Sequence, residues 1–466
     1  MEKRYAILAS VMTGMIMVPI DASMVSVILP TLTEVFQTDM STAQWVPVIY
    51  LLTVSSLLLF YGRLGDVIGY KKVFLYGLGG FVISSGLCGL APSMYWLIIF
   101  RAVQGFTAGM MMAVPFAIIT SSFPANELGR ALGIFAISIS AGLAIGPSLG
   151  GFLTSLFGWR FTFLINIPIG VIALIIGFKV IPIFRLKPGK LDFWGAIAAF
   201  IFMFSIIMII NRLQSAGINK VTVLALVAAV ISGSMFFVIE SRTSEPMLNL
   251  GLFQSATFSF ACLSSFFNFV SQYVMVFLTP FFLQRVLHCN PGAVGKVMTA
   301  FPLAIIVIAP VSGALSDRPG TRLLSCIGGS ISCIALILMG LLPSSATPLD
   351  VALRLALFGL GTGIFQSPNT SAAMSVVPRA NAGVASSIVA TVRNVGMMAG
   401  IALAGAVLHI FVSNCILEKH SLNYQEALLF LSGLRYAYIA GAFIAALTAI
   451  TSFVRSKQSG DVVKTI

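Results

Sequence analysis

Charge is what this sequence has least of. Of 466 residues only 9% are Asp, Glu, Lys or Arg, and only 14 are acidic. A soluble domain carries roughly 25% charged residues, so too little charge is present to cover the surface of a cytosolic enzyme. A disordered scaffold is excluded by the hydrophobic residues, which make up 58% of the chain. Histidine is almost absent, with His288, His409 and His420 all in or near expected loops, which excludes a buried histidine relay or metal cluster. The six cysteines contain no C-x-x-C pair; Cys289 and Cys415 fall on the same side, and whether they bond is left open. There is no G-x-x-x-x-G-K-[ST] phosphate loop, so ATP hydrolysis by this chain is not expected. The net charge of +13 suggests nucleic acid at first sight, but the 27 basic residues are scattered and form no dense patch.

What is present is apolar length. Mean hydropathy is +1.02, and a helix needs about 20 mostly apolar residues to cross a bilayer. Such runs are expected at 5–29, 45–61, 73–91, 95–120, 131–155, 161–182, 191–211, 220–239, 256–283, 294–312, 323–343, 351–375, 382–411 and 434–454, fourteen in all. The first follows Lys3 and Arg4, is too long for a signal-peptide core and has no small-residue cleavage pattern after it, which reads as an uncleaved span. An even count puts both termini on one side. With that side cytoplasmic, loop and tail Lys and Arg divide seventeen inside to eight outside, as the positive-inside rule requires. Arg101 and Arg393 remain within spans.

The chain also repeats itself. Gly62, Leu64, Asp66, Gly69 and Lys71 recur as Gly313, Leu315, Asp317, Gly320 and Arg322, each 251 residues on. Gly109, Pro124, Gly129, Gly142 and Gly146 recur as Gly363, Pro378, Gly383, Gly396 and Gly400 at an offset of 254. Spans one to six therefore correspond to spans nine to fourteen, and the two spans of 191–239 are an insert. The expected fold is all-α and polytopic: a six-helix bundle in 1–185, a two-helix insert with inner linkers in 186–245, and a second six-helix bundle in 246–466. Two such halves about an axis along the membrane normal, with a site between them, is the plan of a rocking transporter.

Several motifs carry a family resemblance. Gly62, Leu64, Asp66, Gly69, Lys71 and Lys72 match the loop signature G-x-L-x-D-x-x-G-[RK]-[RK]-[RK], with departures at Val67 and Tyr70. Arg101, Gln104, Gly105 and Ala108 match R-x-x-Q-G-x-x-A, and Gly142, Gly146, Pro147, Gly150 and Gly151 complete G-x-x-x-G-P-x-x-G-G. In the first span Ile20, Asp21, Ser23, Val25, Val27, Leu29 and Pro30 keep the frame of L-D-x-T-I-V-N-V-A-L-P, with Ser26 for the Asn. The stretch from Trp159 and Arg160 to Asn166, Pro168 and Gly170 fits as well. Over nearly its whole length the chain resembles the major facilitator superfamily, in particular its fourteen-helix drug:proton antiporter branch, the EmrB/QacA-like proteins.

Physical chemistry gives those residues their expected tasks. Asp21 is the one acidic residue within an expected span. A carboxylate there is costly unless protonated, paired or facing water, and an acid in apolar surroundings titrates nearer neutrality, which suits it to carry a proton; the plainer alternative is a hydrogen-bonded structural Asp. Arg101 lies at a similar depth, and the resemblance ties it to proton transfer. Gly142, Gly146 and Gly150 form a flat stripe for close helix contact, and Pro147 a kink; packing alone explains them, while the functional reading adds a seal or hinge. Gly62, Asp66, Gly69 and Lys71, with Asp317 and Arg322, are expected to gate the inner loops through charge pairs that form in one state and break in the other. Gln272 stands 251 residues after Asp21 and offers a neutral group where the first half offers an acid. With Met24, Gln104, Asn268, Tyr273, Phe365, Gln366 and Asn369 it is a candidate for the cavity lining, although Asn and Gln also glue spans together. Arg393, about eleven residues into its span, reads as a structural arginine bonded to carbonyls.

These readings imply no enzyme, since no span holds a nucleophile–base or metal constellation, and no metal or cofactor beyond a proton gradient. They imply a monomeric, proton-coupled exporter of small hydrophobic or amphiphilic compounds in the plasma (inner) membrane, with both termini cytoplasmic. Its partners are the lipid bilayer, its substrate and protons; no nucleic acid is expected, and a periplasmic adaptor is left open. The alternative is a dedicated metabolite, lipid or siderophore exporter or facilitator on the same fold. One core carboxylate against Arg101 and Arg393 argues against dicationic cargo.

Overall fold

A computed structural model of the chain describes residues 2–183, 192–215, 219–242, 250–315, 321–377, 382–419 and 422–454. Helices account for almost all of it. They run α1 (Glu2–Val35), α2 (Met40–Ala43), α3 (Trp45–Ile68), α4 (Tyr70–Gly89), α5 (Met94–Ala113), α6 (Pro115–Ser122), α7 (Ala125–Phe157), α8 (Phe161–Leu164), α9 (Asn166–Val180), α10 (Phe193–Ser215) and α11 (Lys220–Arg242). The second half continues with α12 (Ala256–Phe281), whose end widens into a π turn at Phe282–Val286, then α13 (Pro291–Met298), α14 (Ala300–Leu315), α15 (Thr321–Gly340), α16 (Pro348–Ser375), α17 (Ala382–Phe411), α18 (Asn414–Glu418) and α19 (Tyr424–Val454).

Local chemistry sets the ends. Asn290 accepts from the Ala293 amide with Pro291 at the first helical position, and Thr347 and Asp350 close a capping box over Pro348. Gly69, at φ 99°, reverses the chain between α3 and α4, a backbone setting that favours glycine. Within the helices, Thr53, Ser55 and Ser56 each bond the carbonyl four residues back, which satisfies a hydroxyl that lipid cannot. Large apolar side chains such as Leu224, Val230, Ile231, Phe178 and Ile83 face outward, a surface suited to lipid rather than water.

Twelve helical stretches among the described residues are long and apolar enough to cross a membrane, against fourteen expected. The stretches at 131–155 and 191–211 fall short, with apolar described segments of only Ala141–Phe157 and Phe193–Ile209. Arg285, expected in a loop, is instead a buried member of the π turn; it donates to the Leu417 carbonyl at 3.1 Å and stacks on Phe281 and Phe430.

The long helices pack in two groups. In the first, α1 lies on α7 and α9, and α5 lies between α3 and α4; in the second, α12 lies on α17 and α19, and α16 lies between α14 and α15. The repeated glycines make the same contacts in each. A side chain at Gly142 would strike Ile16 and Pro19 of α1, and one at Gly396 would strike Phe266 and Phe269 of α12. The helix α10 lies on both α3 and α17, across the seam between the groups, and α11 packs on α10.

The two groups meet at one end. Let the near face be that of the α1 N terminus and the far face that of its C terminus. The groups are joined by hydrogen bonds at the far face: Ser148 with Thr299 at 2.6 Å, Thr31 to Gln284 at 3.5 Å and Gln284 to the Val27 carbonyl at 3.4 Å. At the same end a side chain at Gly151 would run into the Pro291 carbonyl, and one at Gly295 into that of Pro147. At the near face an open cavity of about 450 Å³ is lined by Tyr5, Leu8, Ala9, Met12, Thr13, Ile16, Ile134 and Ser138.

Candidate functional site

The motif R-x-x-Q-G shows how a local pattern places a buried charge. Gly105 has no side chain, so the α5 backbone lies against the Tyr50 carbonyl of α3. That approach sets Arg101, one turn earlier, over the Tyr50 ring at 4.1 Å. From there its Nη1 reaches Asp21 Oδ2 at 2.5 Å and Gln104 Oε1 at 2.7 Å, and its Nε donates to the Val46 carbonyl at 3.3 Å. Asp21 Oδ1 accepts from Gln104 Nε2 and from Asn166 Nδ2, both at 3.2 Å. Asn166 also donates to Ser85 Oγ at 3.0 Å, and Ser85 in turn to the Phe163 carbonyl.

Asp21, Arg101, Gln104 and Asn166 are all fully buried. The sequence places Asp21 and Arg101 at similar depth, and the fold joins them directly. It does not give Asp21 the water contact expected of a proton carrier: the near-face cavity runs along α1 only as far as Ile16. The physical reason is that the carboxylate is already matched by one guanidinium and two amide donors, so no water is needed to hold its charge. Ala22 and Ser23, next in the chain, are half-buried. Two polar atoms in the cluster, Arg101 Nη2 and the Tyr50 hydroxyl, are buried with no hydrogen-bond partner.

Other candidates separate into packing and lining residues. Met24 is buried against Gly150 of α7, and Gln104 belongs to the charged cluster. Phe365 is buried beside Gly328 of α15. Asn369 accepts from Ser264 at 3.0 Å and donates to the Ala261 carbonyl at 2.9 Å, which ties α16 to α12. Asn268 is fully buried with neither polar atom partnered. Gln366 donates weakly to Gln272 at 3.5 Å, and Tyr273 is half-buried.

At the near face Asp66 is held within its own group. Tyr70 donates its hydroxyl to Asp66 at 2.5 Å, and Arg63 Nη1 lies 3.6 Å away. Tyr70 is the residue that departs from the basic pattern of the loop signature, so a neutral donor occupies a position where the signature places a cation. Lys71 donates to the Phe178 carbonyl at 2.8 Å, in the last turn of α9, where a cation complements the helix end. Gly62 has open space around it, Arg322 stacks on Phe453 at 4.5 Å, and Asp317 lies outside the described residues. The glycines of the α7 motif divide the work: Gly142, Gly146 and Gly150 touch α1, while Pro147 and Gly151 touch α13.

Sequence reading gave Asn166 no role beyond the resemblance and did not mention Tyr50 or Ser85. The signal available for Asn166 was an amide at the start of an apolar helix.

Two helical groups with polar residues buried between bilayer-length helices define a polytopic membrane protein. The chain belongs to the major facilitator superfamily, whose sequence profile matches residues 11–400 and 261–464; proteins of this family need no cofactor for transport. Among curated relatives, it is 30% identical over 457 residues to the riboflavin transporter RibZ of Clostridioides difficile strain 630, covering 98% of each chain. It is 31% identical over 416 residues to the multidrug resistance protein Stp of Mycobacterium tuberculosis (87% of this chain, 76% of the other). It is 28% identical over 415 residues to the tetracenomycin C resistance and export protein of Streptomyces glaucescens (88% and 77%). Among solved structures, a bacterial homolog of the human lysosomal transporter Spinster aligns over 98% of this chain and 99% of its own, with a TM-score of 0.70 at 17% identity, which is a likeness of fold.

Proposed function

We propose that this chain is a proton-coupled exporter of hydrophobic or amphiphilic small molecules in the plasma (inner) membrane, working as a monomer by alternating access. In this reading it has fourteen spans, with α7 and α10 crossing as well, as in the drug:proton antiporter branch. The bundles are 1–185 and 246–466, and 186–245 is the insert. The near face is cytoplasmic, and the described arrangement is the inward-open state. Its support at the far face is the set of bonds and bare-backbone contacts that join the groups. At the near face it is an Asp66 whose named partners are on its own group, and an open cavity along α1 and α7 with no lining residue from the second group.

The observation that carries the reading is the buried Asp21–Arg101 pair. A proton reaching Asp21 from outside neutralises it and releases Arg101; loss of that proton toward the cytoplasm restores the pair seen here. The titrating group is thus exposed by motion of α1 against α5 and not by a standing water path. Similarity to Stp and to the tetracenomycin C exporter supports drug-like cargo. A second reading, a dedicated carrier for one metabolite, has the similarity to RibZ in its favour.

Reconstitution into vesicles with an imposed pH gradient tests the proposal, following lumenal pH and a panel of fluorescent amphiphiles. Substrate-dependent proton movement is expected in the wild type and not in Asp21→Asn; full proton movement in that variant would remove Asp21 from the cycle. The span count is tested by a single cysteine at the exposed Ile183, just after α9, in a cysteine-free background. With fourteen spans it follows six crossings and should react with a membrane-impermeant maleimide only from the cytoplasmic side, whereas with twelve it follows five, so labelling from outside cells would reject fourteen spans.

A further inference from the structure

The second group holds a half-buried cation that no described acid offsets. Arg393 on α17 is eleven residues from the start of its helix, roughly 16 Å deep at 1.5 Å per residue, which is too deep for its head to snorkel to an interface. The expected bonds to carbonyls are absent. Among the described residues no hydrogen bond or ion pair reaches Arg393, its Nε is buried without a partner, and its nearest named contact is the Phe269 ring of α12 at 6.0 Å. Tyr273, one turn beyond Phe269 on the same face, is half-buried and within electrostatic reach of the guanidinium.

The comparison with Arg101 shows what is missing. Arg101 has Asp21; the position that repeats Asp21 in the second group is Gln272. The described acids of that group, Asp350, Glu418 and Glu426, all lie in helix ends or loops. A guanidinium partly withdrawn from water gains from an anion that meets it, and its fork of donors matches a carboxylate or phosphate. The polar group named beside it, Tyr273, is a neutral phenol.

We propose that Arg393 is a substrate-binding residue that pairs with an acidic group on the cargo, so that the preferred substrates are anionic amphiphiles. This rests on the exporter reading above and names its substrate class. Phe269 and Tyr273 supply the adjoining aromatic surface, and the carboxylate of the cargo supplies the counter-charge that α12 and α17 lack.

The test uses pyrenebutyrate, an anion at neutral pH, and its uncharged methyl ester. Binding to full-length protein in detergent is read as ligand-induced thermal stabilisation, with no gradient. The acid is expected to stabilise the wild type at lower concentration than the ester. Arg393→Gln should raise the concentration of acid required by about tenfold or more, the loss of one charge-assisted contact, and leave the ester unchanged. Arg393→Lys, which keeps the cation but not the fork, should fall between the two. Equal stabilisation by acid and ester, or an equal loss of both in Arg393→Gln, would overturn the assignment. So would phosphatidylglycerol acting through Arg393 where the soluble acid does not, since that gives the arginine to lipid. The same probes in vesicles with a pH gradient separate the two readings. Acid binding through Arg393 without substrate-driven proton movement refutes the coupled exporter and leaves the anion site standing. Proton movement with both probes, unaffected by Arg393→Gln, does the reverse.

Discussion

Asp21 and Arg101 hold each other in a medium that tolerates neither alone. Removing one partner of such a buried pair costs about 3–5 kcal/mol, because the other charge is left uncompensated. The Asp21→Asn and Arg101→Gln variants should each lower the unfolding temperature in detergent. The double variant should lose clearly less than the two losses added together, as residues in direct contact do not act independently. Additive losses would show that the 2.5 Å contact carries little energy. Asp21 and Arg101 were legible in the sequence because a charge in an apolar run needs a reason. Gln104 and Asn166 were harder to assign: an amide within a span serves equally as ligand or glue, and only its neighbours decide. Asn369 turned out to bond Ser264 and a carbonyl, and Gln104 and Asn166 to hold the acid.

Helix contacts follow from where side chains are missing. The α7 glycines are spaced four apart, so they form one face, and α1 lies on it backbone to backbone. A side chain at Gly146 would overlap Ser23 Oγ and press on the Ile20 carbonyl at 3.0 Å. Gly146→Val should therefore separate α1 from α7 and lower thermal stability sharply. Gly62→Ala is the contrast: nothing lies within 4 Å of the added carbon, and alanine is the better helix former by roughly 0.5–1 kcal/mol. That variant should be neutral or slightly stabilising by the same thermal measurement. If both variants behaved alike, the α1–α7 contact would not be the reason for the motif. The glycine stripe was visible from spacing alone. Its second function was not: Pro147 and Gly151 face the other group, across sequence separations that no local pattern encodes.

For the whole molecule, the far-face contacts are what must open if the cavity is to change sides. Ser148 and Thr299 share a hydrogen bond across the two groups. In a cysteine-free background, Ser148→Cys with Thr299→Cys should cross-link on oxidation and stop transport, and reduction should restore it. In the cross-linked protein a cysteine at Thr13, which lines the near-face cavity, should still react with a maleimide. Loss of that reactivity on cross-linking would show that the two ends do not close in alternation. The insert helix α10 lies on both α3 and α17, so it spans the seam along which the two groups would move. The repeat offset had marked α10 and α11 as extra, but their location beside the seam could not be read from it.

The amino-acid sequence by itself determined that this chain lives in a bilayer, that it is built of apolar helices, and that its halves repeat. Those properties are sums over composition and spacing, and the low dielectric of lipid enforces them whatever the packing. Only the tertiary structure decided that Asp21 is closed in by Arg101, Gln104 and Asn166, and that Tyr70 bonds Asp66. It alone showed Arg393 without a counter-charge. Each of these depends on which side chains from distant segments come within hydrogen-bond distance, and that is set by helix contacts between residues up to hundreds of positions apart.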